Sequence, residues 1–194
     1  MKNVLQTALE IQAWLVAKNW LFCIIGGVAI QRWGQPRVTQ DVDLTLLTGF
    51  GGEEVFVDLL LAAFAPRIAN AREMALRSRV VLLQDTSGIG IDIALGAVPF
   101  EERAIARASW FALGDGQKLL TCSAEDLVVH KLFAGRPQDW ADLEQILARQ
   151  KCVMNFDLIR EEVLPLLELK EAADSWDRFL ALRDRTLLRL SSTL

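Results

Sequence analysis

The chain has 194 residues, 52% of them hydrophobic, with a formal net charge of −4 and a pI near 5.1. That length and apolar content are enough for a proper core. The acidic balance excludes a surface that coats nucleic acid generally and leaves room only for a local basic groove. No apolar run reaches the roughly 18–20 residues that cross a bilayer; the longest, Val55–Pro66, contains Asp58. Met1-Lys2-Asn3-Val4-Leu5-Gln6 lacks a continuous apolar signal core, so no secretion and a cytoplasmic location are expected. Cys23, Cys122 and Cys152 are widely spaced in apolar contexts. They read as reduced thiols rather than a disulfide frame or a zinc knuckle.

Leu5, Leu9, Ile11, Trp14 and Leu15 recur at roughly helical spacing, which predicts a helix over 4–18. Phe22–Ile25 reads as a short buried strand, and Gly26-Gly27 opens a helix through about Trp33, broken by Gly34-Gln35-Pro36. Asp41–Leu46 is the next strand, and a helix from Glu53 to about Ala65 follows Gly51-Gly52. Val80–Gln84 and Ile89–Leu95 form a hairpin across Asp85-Thr86-Ser87-Gly88. A short helix starts at Pro99, and two short strands are expected over Trp110–Leu113 and Lys118–Cys122. Ser123 with Asp126 caps a helix to Ala134, Pro137 starts one ending near Arg149, and Asn155 caps one through about Glu168. A last helix covers roughly Ala172–Leu190. The division expected is an α/β core over 1–122 and a helical half over 123–194.

The chemistry gathers around Asp41-Val42-Asp43. Two carboxylates one residue apart on a strand point the same way, because strand side chains alternate faces. Such a pair alone reads equally as turn capping; here it opens an apolar strand, not a polar loop. A third carboxylate, Asp92, stands between Ile91 and Ile93. It is either an outward residue on an edge strand or a buried acid that needs a partner or a metal. If the three converge, their mutual repulsion calls for cations, and two Mg²⁺ about 3.5–4 Å apart meet that need. The diglycine helix start ahead of them is a natural receptor for phosphate.

Gly26-Gly27-Val28-Ala29, then Arg37-Val38-Thr39-Gln40-Asp41-Val42-Asp43-Leu44, then a lone Asp92 on a later strand resemble the DNA polymerase beta-like nucleotidyltransferase superfamily. The wording looks most like its AbiEii-like branch, whose members include toxins of toxin–antitoxin and abortive-infection systems. A second block, Ser123-Ala124-Glu125-Asp126-Leu127 leading to Lys131, Arg136, Asp139 and Asp142, is similar to that branch's helical Lys-then-Arg-then-Asp-x-x-Asp motif. The resemblance implies an α/β (α+β) fold, with a mixed sheet flanked by helices and then a helical half. It implies that Asp41 and Asp43 bind two Mg²⁺ (or Mn²⁺) ions, with Asp92 completing the site of the one that activates the acceptor hydroxyl. Gly26, Gly27, Arg37, Thr39, Lys131 and Arg136 would then serve the nucleoside triphosphate (NTP). Asp139 and Asp142 would orient Lys131 or Arg136, or else simply cap and solvate their helix. Arg37 would touch nucleotide or balance the carboxylates, and Thr39 would bond to backbone. The chain departs from the superfamily pattern at Gly27, where many members carry serine, losing a hydroxyl contact to phosphate. The longer spacing from Gly27 to Asp41 fits the AbiEii-like branch.

The expected reaction is transfer of a nucleoside monophosphate to a hydroxyl of tRNA, protein or a small molecule, with an antitoxin as a partner and no membrane. A non-catalytic member that binds a nucleotide or partner in the same cleft is the alternative; an antibiotic adenylyltransferase ranks third. His130 is the only histidine, which removes histidine metal sites and a Ser-His-Asp triad from consideration. The six tryptophans read mainly as packing residues. Arg178, Arg183, Arg185 and Arg189, beside Asp174, Asp177 and Asp184, read as a salt-bridged helix face, with a tRNA or partner contact as the other reading. Gly88 and Gly90 form no dinucleotide fingerprint.

Overall fold

The computed structural model describes residues 3–151 and 153–192. Cys152 lies outside the described residues; Cys23 and Cys122 are buried thiols outside any disulfide. In chain order the described elements are α1 (Val4–Ala17), β1 (Phe22–Ile24), α2 (Gly26–Trp33), β2 (Asp41–Leu47), α3 (Glu53–Ala63), β3 (Ala65–Pro66), α4 (Ala71–Ser78) and β4 (Val80–Gln84). They continue with β5 (Gly90–Gly96), α5 (Pro99–Ala106), β6 (Ser109–Gly114), β7 (Gln117–Thr121), α6 (Ala124–Ala134), α7 (Pro137–Arg149), α8 (Phe156–Leu169) and α9 (Asp174–Ser191). Strands and helices intermix as far as β7, and among the described residues only helices follow. The fold is therefore mixed α/β with a helical carboxy-terminal part.

The chain forms two compact units. One runs to Val28 and from Val38 to Cys122; the other joins Ala29–Arg37 to the segment from Ser123 onward. In the first, one seven-stranded sheet has the order β3-β4-β5-β2-β1-β7-β6. The β2–β5 and β1–β7 pairs are parallel and the others antiparallel, so the sheet is mixed. Val42, Leu44 and Leu46 of β2, and Ile91, Ile93 and Leu95 of β5, join Val81 and Leu83 in a core with Ala8, Ile11 and Leu15 of α1 and Val57 and Leu60 of α3. Strand periodicity turns the alternate residues Asp41, Asp43 and Asp92 to the opposite face of the sheet. One pattern thus builds the core and displays the acids.

Local chemistry explains the element ends. Asn3 and Gln6 cap α1 reciprocally, each side-chain oxygen accepting the other's backbone N–H at 3.0 Å. Ser123 Oγ accepts the Asp126 N–H at 3.0 Å, and Asn155 Oδ1 accepts the Leu158 N–H at 3.0 Å. In the β4–β5 turn, Gly88 takes φ +84°, and Asp85 Oδ1 accepts the N–H groups of Ser87 (2.8 Å) and Ile89 (2.9 Å). Asp85 Oδ2 accepts the Thr7 hydroxyl of α1 at 2.7 Å, so one carboxylate ties the turn to a helix.

The structure departs from the sequence expectations at four points. The helix from Glu53 stops at Ala63, because Phe64 is extended (φ −128°, ψ 146°) and leads into β3. Helix α4 has no counterpart among the expected elements; at two turns, with four apolar residues in eight, it is too short for an apolar period to be read. The edge-strand reading of Asp92 fails, because β5 lies inside the sheet between β4 and β2. Trp110 is also no core residue: it is 48% exposed, with Lys118 Nζ 4.5 Å from its ring centre.

Asp85→Ala removes the acceptor for the Thr7 and Ser87 hydroxyls and for the Ser87 and Ile89 N–H groups, so its denaturant midpoint should drop by the equivalent of about 1–3 kcal/mol, the scale of stranded buried donors. An unchanged midpoint in urea unfolding would show that the turn holds without the carboxylate.

Candidate functional site

The acidic centre is set by backbone pairing. The parallel ladder of β2 and β5 places Asp43 level with Asp92, and Asp41 level with Gly90. In-register neighbours on adjacent strands project to the same face, so the three carboxylates rise together. One oxygen from each lies within 4.8 Å of the others, and all three residues are half-buried. Oxygen ligands of a divalent cation sit about 2.0–2.6 Å from it, so a spread of this size fits a shared ion. The donor set is all oxygen and anionic, which suits Mg²⁺ or Mn²⁺ rather than a soft metal.

The diglycine turn is fitted closely to this centre. Gly26 has φ +59°, and a Cβ there would lie 2.1 Å from Asp43 Oδ2, so both conformation and space demand glycine. The Gly27 N–H points to Asp43 Oδ2 at a long 3.5 Å. A Cβ on Gly27 would meet Thr39 Oγ1 at 2.2 Å and Thr39 Cβ at 2.8 Å. The missing serine at 27 therefore has a physical reason: the Thr39 side chain already occupies that space. Thr39 Oγ1 also approaches the carbonyl oxygen and Oδ1 of Asp41, both at 3.4 Å. A hydroxyl thus lies beside the turn, supplied from position 39 instead of 27.

Arg67 has no counterpart in the sequence reading. Its Nη2 bonds Asp92 Oδ1. No local motif announces it, because it follows the unforeseen strand β3 and reaches Asp92 across β4. The Asp92 carboxyl is pushed above the usual range first by burial, with the negative charges of Asp43 and Asp41 adding to the rise and the Arg67 guanidinium opposing it.

The remaining expected residues form a cluster within the helical unit. Lys131 of α6 donates to Asp139 Oδ1 at 2.8 Å and lies 2.8 Å from Asp142 Oδ2, both on α7. Its side chain is only 7% exposed, so it is neither a solvated nor a mobile lysine. Arg37 forks onto Asp142 through Nε (2.8 Å) and Nη2 (2.9 Å), so the carboxylate it balances is that of Asp142. Arg136 bonds Asp139 Oδ2 through Nε at 2.8 Å and remains 74% exposed. Burial alone would raise the Asp139 carboxyl, but hydrogen bonds and charge from Arg136 and Lys131 hold it below the usual range. For Asp142 burial is likewise outweighed, by Arg37, Lys131 and Gln138. On α9, Arg183 pairs with Asp184, Arg189 pairs with Glu144, and the Arg178 guanidinium stacks 3.8 Å from the Trp140 ring. Of the pairs expected along that face, Arg183–Asp184 forms, whereas Arg189 and Arg178 turn to Glu144 and Trp140 of α7.

Residues 9–187 match the family model described as nucleotidyl transferase AbiEii toxin, type IV TA system. A search of curated proteins gives no significant match. Among solved structures the chain is similar to the crystal structure of an antigenic nucleotidyltransferase-like protein from Paracoccidioides brasiliensis. The TM-score is 0.52 at 15% identity, covering 87% of this chain and 91% of the other. A solution structure of the antibiotic-resistance factor ANT(2'')-Ia also aligns, with a TM-score of 0.48 at 15% identity over 99% of this chain and 96% of the other. No helix among the described residues is long and apolar enough to cross a membrane.

Two outcomes follow from this geometry. Gly27→Ser should lower stability by about 1–3 kcal/mol through overpacking, and combination with Thr39→Gly should recover part of that loss in a double-mutant cycle of thermal melts. Asp139 and Asp142 have depressed folded-state values, so their contribution to stability is present above the unfolded range near about pH 4 and is lost as pH falls through the folded values. Melting temperatures taken downward from about pH 6 should therefore fall below about pH 4, and fall less steeply in Asp142→Asn.

Proposed function

Because the chain belongs to the AbiEii nucleotidyl transferase toxin family of type IV toxin–antitoxin systems, we propose that it is a divalent-metal-dependent nucleotidyltransferase acting as a toxin. It moves a nucleoside monophosphate from an NTP to an acceptor hydroxyl on tRNA, protein or a small molecule. The observation that carries this reading is the level pairing of Asp43 with Asp92 beside Asp41, next to a diglycine helix start. We also propose a cytoplasmic location and a cognate antitoxin as partner, both from the family.

The acceptor oxygen forms a bond to the α-phosphorus as the bond to the bridging oxygen breaks; pyrophosphate leaves with the electron pair, and the hydroxyl proton passes to solvent. Asp41 and Asp43 would hold both ions, and Asp92 the ion on the acceptor side. When bound, Mg²⁺ or Mn²⁺ supplies charge neutralisation at the reacting phosphate and acidifies the acceptor hydroxyl. Gly26 and Gly27 bring backbone close to the carboxylates at the positive end of α2, where phosphate is favoured. Thr39 adds a hydroxyl donor at that turn. In the helical unit, Asp139 and Asp142 hold Lys131 as a fixed point charge for phosphate, with Arg37 bracing Asp142 and Arg136 offering an exposed guanidinium.

The test incubates the protein and Mg²⁺ with each α-labelled triphosphate, total RNA and cell lysate. Label should enter one fraction with matching pyrophosphate release, and Asp43→Ala should reduce it by roughly 10²-fold or more, the scale of losing a group that stabilises transition-state charge, with its circular dichroism unchanged. Undiminished transfer by that variant would end the proposal. Magnesium-dependent triphosphate binding without release across all acceptors would point to the non-catalytic member instead.

A further inference from the structure

Arg67 lies at the end of a transverse row through the sheet. Its backbone N–H donates to the Leu82 carbonyl at 3.0 Å, directly after the Pro66–Leu83 pair. Leu82 is level with Asp92 and Asp92 with Asp43. Arg67, Leu82, Asp92 and Asp43 therefore share a row, and their side chains share a face. Two strand spacings, about 9.6 Å, separate the backbones of Arg67 and Asp92, a gap that an extended arginine and an aspartate close together. The sheet is also cleared for this reach: a Cβ on Gly90 would lie 2.8 Å from Arg67 Nη1. Glycine opposite Asp41 thus leaves room for a guanidinium beside the acidic centre.

We infer that Arg67 is a displaceable counter-ion of the acidic centre: its guanidinium holds Asp92 until a divalent cation takes that carboxylate. Entry of the metal and release of Arg67 from Asp92 are then one event. The inference rests on the metal reading given above and adds a residue that regulates it. Asp92 carries its charge next to those of Asp41 and Asp43, and Arg67 balances part of that repulsion. A guanidinium and a divalent ion compete for Asp92 Oδ1, because both are cations seeking the same oxygen. Each weakens the other by the same factor, as linkage requires. The pair is only partly buried, with side chains 30% and 29% exposed, so its hold is modest and exchange is feasible. Arg67 acts through Asp92 and is a positioning residue.

Manganese is titrated calorimetrically, without nucleotide, into metal-free wild-type protein, Arg67→Ala, Arg67→Gln and Arg67→Lys. Arg67→Ala and Arg67→Gln should bind Mn²⁺ about two- to fivefold more tightly, the scale of losing one partly exposed ion pair, and Arg67→Lys should fall between them and wild type. In an Asp92→Asn background the effect of Arg67→Ala should disappear. Equal or weaker Mn²⁺ affinity in both neutral variants overturns the exchange while leaving the metal site standing. Absence of Mn²⁺ binding in every protein overturns the metal reading, and the exchange with it.

Discussion

The acidic centre depends on the register between β2 and β5. Asp43 stands level with Asp92 only while Val42, Leu44 and Leu46 pair with Ile91, Ile93 and Leu95 in the same ladder. Those six side chains are buried almost completely. A slip of one residue would drive Asp92 toward the core and lift isoleucine into its place, so hydrophobic burial itself fixes the carboxylate geometry. No dedicated loop is needed to hold the acids. They inherit their precision from the sheet, and from its interior rather than its edge.

The two groups of acids differ in how their charge is met. Asp139 and Asp142 are each gripped by two cationic side chains, and their carboxyls are held below the usual range. Asp92 is raised by burial and by its neighbours, with Arg67 only partly compensating. A carboxylate left short of positive charge in a half-buried setting is one whose repulsion a bound cation would relieve. An over-satisfied one marks a place where a cation is being held still. Lys131 is such a cation, and its burial between two acids separates it from an ordinary surface lysine.

Much of this could be read from the sequence, for reasons that are local. The diglycine start of α2, the strand opening at Asp41, the Gly88 turn and the caps at Ser123 and Asn155 each follow from short-range chemistry, and each is present. Convergence of Asp92 with Asp41 and Asp43 was an expectation from pattern and resemblance; it became visible only through pairing between strands nearly fifty positions apart, as Asp43 and Asp92 are. What escaped was non-local or weakly patterned. Helix α4 is only two turns long, β3 has two residues, and Arg67 acquires meaning only once two strands are placed beside it. The Arg37–Asp142 fork joins residues 105 positions apart. The Gly27–Thr39 fit was hidden because each residue looks unremarkable without the other.

Chain order and packing part company at Ala29. The stretch Ala29–Arg37 sits before the acids in sequence yet packs with the helices after Ser123. Ile30 is almost wholly buried, Arg149 Nη1 donates to the Gly34 carbonyl at 2.6 Å, and Gln150 Nε2 donates to the Trp33 carbonyl at 2.8 Å. A gene fragment that stops at residue 122 would strand this stretch without its helical companions. The complementary fragment would lack the piece that completes it. The helical unit is thus discontinuous along the chain, and a cut at residue 122 divides a body whose two pieces fold together.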